Sequence, residues 1–389
     1  MHEFQSEELI QTNQELFYQI FFSAPSICCI APGRINIIGE HTDYNYGLAM
    51  PAAINRWVLV SFGKRNDRTV HVKSVNYNSD LIFVLGESPS LEESWQKYVY
   101  GAIEVFRENN MVNEGFNAVV LGNVPLGFGV SSSAAIEVAM MNGLKALYNS
   151  SANDLQIVKL CQRVEHEFLH LKSGLLDQYA SQFSRKGKVM VLDFKSMSHQ
   201  YLSMENDGYE WTLVNSGITR ELVHSGYSHR VKETQEALRF LKGIKPEIEN
   251  FRDIEASHLE LLPDEIWKKR IRHYLSENQR VRLAVEYIGQ NNFEKLGEVL
   301  CSSHFSLRDD YEVSRVELDY LAEIAMENPF CLGSRIMGGG FGGCTLNLVR
   351  KDGGEEFAAY INRNYLHKFN IHPSINSFQL VNGVQIINL

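Results

Sequence analysis

The chain has 389 residues, 44% of them hydrophobic and 22% charged, the make-up of a globular protein long enough for two domains of roughly 150 to 200 residues. Its 37 Lys and Arg against 47 Asp and Glu leave a formal charge of −10, so no basic stripe is available for DNA or RNA and any phosphate has to be bound locally. No apolar run approaches the ~20 residues that span a bilayer, and the six cysteines have neither CxxC spacing nor the density of a disulfide scaffold, so buried thiols in a reducing cytosol are expected.

Residues 7–22 space their apolar side chains as an amphipathic helix, and no Lys or Arg precedes Arg34, so the positive start of a signal peptide is missing. A strand follows at 27–31, then a glycine-punctuated loop. Strands are predicted at 58–62, 81–85 and 116–121, and helices at 94–108, 131–148 and 153–171. The first half therefore mixes strands and helices without regular βα alternation. A boundary is expected near residue 205, giving segments 1–205 and 206–389. Beyond it come long helices at 220–242, 264–289 and 293–309, glycine-rich turns, two short strands and a helix at 355–369. No internal repeat or low-complexity linker is present.

Four clusters carry chemistry. GRINIIGEHTDY at 33–44 packs Arg34, Glu40, His41 and Asp43 around glycine turns. Such groups can fork around a polyhydroxylated ligand, since carboxylates accept from hydroxyls while Arg donates. A solvated polar loop is the plainer alternative, but Ile37 and Ile38 argue for burial, and buried charges need partners. GNVPLGFGVSSSAA at 122–135 reads as strand end, glycine loop and helix start. Backbone N–H groups at a helix N-terminus, with Ser131, Ser132 and Ser133 beside them, make an anion site without a lysine, although a plain N-cap would use the same residue types. No GxxxxGK[ST] segment and no HRD or DFG set is present, so any ATP must rest on this loop. The third cluster couples Glu165 to GLLDQ at 174–178. One carboxylate could ligate Mg²⁺ and the other, Asp177, receive a substrate proton, the alternatives being a helix-surface Glu and an N-cap Asp. The fourth has five glycines in the six positions 338–343, which means close backbone approach or positive φ, if not simply a hairpin turn.

Together these residues resemble the galactokinases of the GHMP kinase superfamily. GRINIIGEHTDYNYG is similar to the motif specific to galactokinases, GNVPLGFGVSSSAA to the shared phosphate loop and MGGGFGGC to the third motif. The likeness continues through VEHEFLHLKSGLLDQ, NSGITRELVHSGYSHR, ENQRV and SHFSLRDDYEVS, and so covers nearly the whole chain. It implies an α/β (α+β) two-domain GHMP kinase fold, with mixed sheets and helices and the active site in the interdomain cleft. It also implies an enzyme phosphorylating the anomeric hydroxyl of galactose from ATP with Mg²⁺. Asp177 would be the base and Arg34 the cation paired with it. Glu40, His41, Asp43, Gly174, Asp177 and Tyr227 would hold the sugar. Gly127, Gly129, Ser131, Ser132 and Ser133 would wrap the phosphates, Trp95 would lie near the adenine, and Ser133 and Glu165 would hold the metal. A cytoplasmic monomer is expected, with a dimer as the alternative, and with small molecules rather than nucleic acid or membrane as partners. Phe128, Val130, Tyr46, Leu176 and Met337 depart from the usual residues and bear on pocket shape. A kinase for N-acetylgalactosamine or L-arabinose therefore stays open, as does a non-catalytic galactose and ATP sensor.

Overall fold

The computed structural model describes residues 3–109, 111–125, 127–171, 173–204, 208–218 and 223–389. Helix α1 (Glu3–Phe21) leads into strand β1 (Ile27–Asn36), whose ten residues are all buried. A strand covered on both faces needs no polar alternation, which is why Ile27 to Ala31 reads as one apolar run. After the two-residue β2 (Leu48–Ala49), strand β3 (Pro51–Lys64) pairs antiparallel with β1, and the register shifts between Pro32 and Arg34. Pro32 has no N–H to give the ladder, so the irregularity falls where it costs least. Freed from the regular register, the Arg34 amide donates to Val130 O at 3.0 Å.

The first sheet is completed by β4 (Thr69–Ser74), β5 (Ser79–Val84) and β6 (Phe116–Gly122), with α2 (Ser94–Glu108) between the last two. Helices α3 (Ser132–Leu147), α4 (Asp154–Phe168) and α5 (Leu176–Phe183) follow, and α3 packs across β1 and β3 while touching both α2 and α5. Strands β7 (Lys188–Asp193) and β8 (Ser198–Ser203) join β2 in a three-stranded sheet.

The remainder comprises β9 (Tyr209–Asn215), α6 (Val223–Ile244), α7 (Glu265–Gly289), α8 (Phe293–Asp309), α9 (Val316–Glu327), β10 (Cys331–Met337), β11 (Cys344–Arg350), α10 (Gly354–Phe369), β12 (Ser374–Phe378) and β13 (Gln385–Asn388). Among the described residues a second sheet runs β10-β11-β9-β12, antiparallel throughout, with α8 and α9 against β10. The first runs β13-β1-β3-β6-β4-β5, where only β4 and β6 pair parallel. These mixed sheets with helices are the expected fold class.

The boundary expected near residue 205 and the helix start at Arg220 lie outside the described residues. The end of the chain crosses that boundary, because β13 pairs with β1 and Leu380 bridges Ile54. Strand β3 is longer than the predicted 58–62, since Ala52, Ala53 and Ile54 are buried and show no alternation. Five of the six cysteines are buried and Cys301 is partly so. No helix of the described residues is long and apolar enough to cross a membrane.

Candidate active site

One cleft of about 410 Å³ collects conspicuous residues of both halves: Arg34, Asp177, Ser133 and Glu165 from the first, Tyr227 and the Gly338 backbone from the second. At its centre Arg34 forks onto Asp177, Nε donating to Oδ1 at 2.8 Å and Nη2 to Oδ2 at 2.7 Å. Nη1 donates to Gly129 O at 2.5 Å, so one guanidinium ties the carboxylate to the glycine loop. Such bidentate pairs fix orientation as well as charge. Ser131 Oγ also donates to Asp177 Oδ2. The Asp177 side chain keeps 32% of its surface, against 7% for Arg34, and that surface faces the cleft. Asp177 lies in the first turn of α5, whose Leu176, Tyr179 and Ala180 anchor it against Met190 and Leu192 of β7.

On one side lies the loop 39–47. Glu40 is buried, and Oε1 accepts from Gly338 N at 2.8 Å while Oε2 accepts from Arg335 Nη2 at 2.8 Å and from Asn36 Nδ2. Burial pushes its carboxyl up, against the opposing pull of Arg335. His41 Nδ1 meets Tyr44 OH at 2.9 Å, and that hydroxyl meets Tyr311 OH at 2.8 Å. Burial, reinforced by His273, pushes His41 down to about 3, so the ring is neutral near pH 7. Tyr227, near the start of α6, stands edge-on to Tyr44, with ring centroids 5.3 Å apart, and 5.6 Å from the His41 ring. Asp43 presses so closely on Gly174 that a Cβ there would come within 1.7 Å of Asp43 Oδ2. Only glycine fits at 174. Enclosure pushes the Asp43 carboxyl up to about 7, and the Asp177 charge adds to this. These carboxyl, imidazole and phenol groups form a pocket wall suited to hydroxyls.

Across from it the loop from Gly127 to Ser131 turns through positive φ at Gly127, Gly129 and Ser131 (80°, 67° and 57°). Ser131 occupies the N-cap of α3 but in the left-handed region rather than the extended one a capping serine takes; its side chain makes no cap, and its hydroxyl donates to Asp177. The N–H groups of the first turn are left uncapped by it, which is the arrangement that takes an anion. Ser132 and Ser133 line the same cleft, as does Tyr98. Glu165 accepts from Ser173 Oγ and is pushed by burial to about 7, with the Asp177 charge adding.

Among the described residues no group of three or more His, Cys, Asp or Glu side chains could hold a metal. Two oxygen donors, Ser133 and Glu165, line the cleft beside the loop. Such a pair suits a hard cation that keeps waters and phosphate oxygens for its other positions, the habit of Mg²⁺.

Trp95 is elsewhere. Its indole is 4% exposed, and Nε1 donates to Ser79 Oγ at 3.1 Å and to Glu93. The exposed Tyr77 stacks beside it, 6.4 Å away and tilted by 18°. Asn76 binds the backbone of Gly122 through two 2.8 Å bonds, so this aromatic pair adjoins the approach to the glycine loop without lining the cleft. Tyr98, one turn along α2, does line it and was not singled out from sequence. Of the departures in the motifs, Phe128 and Met337 turn into the core, Tyr46 is exposed, and Val130 and Leu176 reach the cleft. Arg335 and Glu277 were also missed. Glu277 accepts from Gly39 N at 2.9 Å and from Ser303 Oγ, and although burial raises it, Arg280, His273 and Arg335 hold it at about 2. A lone Arg in the otherwise uncharged CLGSRIM at 331–337 was the available signal, because a charge there must find a buried partner.

Comparison with known proteins agrees with this geometry. The models for the GHMP kinases N terminal domain and the GHMP kinases C terminal match residues 97–185 and 284–367. The molecule is a GHMP kinase by fold and by its loop. The galactokinase galactose-binding signature matches residues 15–64, which hold the wall built on Glu40, His41 and Asp43. The galactokinase of Staphylococcus carnosus is 34% identical, covering 98% of this chain and all of its own, and that of Limosilactobacillus fermentum is 37% identical, covering 95% and 98%. The structure of Lactococcus lactis galactokinase complexed with galactose superposes with a TM-score of 0.92 at 32% identity, over 97% of this chain and 99% of that one. The chain belongs to the galactokinase family.

Proposed function

We propose that the protein transfers the γ-phosphate of ATP to the anomeric hydroxyl of D-galactose, giving galactose 1-phosphate and ADP. The observation that carries this reading is the Arg34–Asp177 fork, set between a wall of hydroxyl-binding groups and an uncapped helix start. Galactose rests against Glu40, His41, Asp43, Gly174 and Tyr227, and the triphosphate against Gly127, Gly129 and Ser131 to Ser133. As the anomeric oxygen bonds to the γ-phosphorus and the bond to ADP breaks, the hydroxyl proton passes to Asp177. Arg34 offsets charge on the moving phosphoryl group. Holding both substrates in line supplies about 7–11 kcal/mol of barrier reduction, more than any single proton transfer.

Mg²⁺, held by Ser133 and Glu165, would neutralise phosphate charge. Glu165→Gln is therefore expected to raise the Mg²⁺ concentration needed for half-maximal rate by about 10-fold or more, and an unchanged Mg²⁺ titration would remove Glu165 from this role. On this reading residues 1–205 carry the sugar loop and phosphate loop, 206–389 close the cleft, and the enzyme works as a cytoplasmic monomer. ADP release measured against galactose, N-acetylgalactosamine and L-arabinose tests the substrate. Galactose should give the highest kcat/KM, and silence with galactose beside turnover of another sugar would overturn the assignment.

A further inference from the structure

Gln178 follows the proposed base and is fully buried between two carboxyls. Its Nε2 donates to Glu137 Oε2 at 3.2 Å, and its side chain is among the influences that favour the charged form of Glu165. An amide nitrogen carries two N–H donors, so one remains beyond the bond to Glu137. Two buried acceptors are left with no partner, and they sit on the two residues of the 3.2 Å bond: Gln178 Oε1 and Glu137 Oε1. A pair of orphaned oxygens inside a protein is costly, and native structures seldom keep them.

Further along the same two helices the problem is solved differently. Asn142 Nδ2 donates to Gln182 Oε1 at 2.7 Å, and Gln182 Nε2 donates back to Asn142 Oδ1 at 3.3 Å, a closed ring of two bonds between α3 and α5. Glu137 and Gln178 face each other across the same interface. A carboxylate has nothing to donate, whereas a carboxylic acid does. A hydroxyl on Glu137 Oε1 directed at Gln178 Oε1 would close the ring and satisfy both orphans.

We propose that Glu137 is a positioning residue: as a neutral carboxylic acid it grips the Gln178 amide through two hydrogen bonds, and so holds the remaining N–H of that amide on Glu165 and the start of α5, with Asp177, in place. Burial pushes the Glu137 carboxyl well up, and the Glu165 and Asp177 charges add to this. Glu137 itself has no surface in the cleft and touches no substrate. The consequences for catalysis rest on the roles proposed for Asp177 and Glu165; the clamp itself does not.

Glu137→Gln can accept and donate across the same ring, while Glu137→Met fills similar volume and does neither. Glu137→Gln is expected to keep kcat and the Mg²⁺ requirement close to those of the parent enzyme. Glu137→Met should raise the Mg²⁺ needed for half-maximal rate by about 10- to 100-fold, as loss of a group that orients a metal ligand does, with little change in KM for galactose. Infrared spectra of the protein without nucleotide or metal, taken at about pH 8, where ordinary carboxyls are ionised, should show a carboxylic-acid carbonyl band that Glu137→Gln removes. A Glu137→Gln enzyme as impaired as Glu137→Met would mean that the charge is needed and would overturn the proposal, as would the absence of that band. Should Glu165 play no part in metal binding, the Mg²⁺ shift of Glu137→Met disappears while the band stays, which separates failure of the clamp from failure of the metal assignment. Should Glu137→Met not fold, the band and the Glu137→Gln rates decide.

Discussion

Asp177→Asn is expected to lower turnover by about 10²- to 10⁴-fold, the range for removal of a positioned acid–base group, while galactose binding persists in calorimetry. The asymmetry follows from the geometry. Asp177 receives the Arg34 fork on both oxygens and the Ser131 hydroxyl on one of them. Asparagine offers one acceptor where the fork needs two and turns an N–H₂ toward a donor, so it loses the proton acceptor and loosens the link to Gly129 as well. The groups proposed to hold the sugar depend on other partners: Glu40 on Arg335 and Gly338, His41 on Tyr44. Asp43 is affected in a definite direction. The Asp177 charge helps to raise its carboxyl to about 7, so removing that charge lowers it and leaves Asp43 more ionised at neutral pH. Galactose affinity measured against pH should then hold to a lower pH in the variant than in the parent. A variant with near-normal kcat would remove Asp177 from the base role.

Local signals made part of this site readable. The glycine turn before α3 was visible because glycines and serines before an Ala-rich helix have a direct backbone meaning, and Gly127 and Gly129 do take positive φ. Helix α2 begins at its expected residue, where Glu93 and Gln96 form a capping box. Helix α5 was missed: it has eight residues, and Leu175 offers no side-chain cap. Strand β8 was missed because its SHQYLS is polar and largely solvated. The pairing of Arg34 with Asp177 spans 143 residues of sequence, a separation no periodicity reports, and it came from family resemblance. Burial of Trp95 beneath Tyr77, with Tyr98 facing the cleft instead, depends on how α2 lies against α3 and α4, which is a tertiary fact. The same holds for His273, Glu277 and Arg335, each of which bonds to backbone more than 230 residues away along the chain.

Replacing Arg335 with Met should give the largest loss of stability, about 3–5 kcal/mol in urea unfolding, the usual result when one partner of a buried ion pair is removed. Arg335 has no exposed surface. Nε donates to Ile37 O at 2.7 Å, Nη1 to Ile336 O at 2.6 Å, and Nη2 to Asn36 O at 2.5 Å and Glu40 Oε2 at 2.8 Å. It therefore joins the end of β1 and the loop beyond it to β10. Methionine matches much of the volume but leaves those carbonyls short of a donor and Glu40 without its cation. The Glu40 carboxyl is already raised by burial, and Arg335 is the main influence opposing this. Without Arg335 it rises further above its unfolded value, so the folded variant holds a proton that the unfolded chain releases. Stability then falls as pH rises from the ordinary carboxylate range through the new folded value. The deficit relative to the parent should accordingly be smaller at about pH 5 than at about pH 8, and a deficit that does not change with pH would mean that Glu40 is not the group left unpaired. Converting Glu40 to Met in the same chain should recover part of the stability, since an apolar pair of similar volume carries no uncompensated charge, but it should not recover galactose binding if Glu40 holds the sugar as proposed.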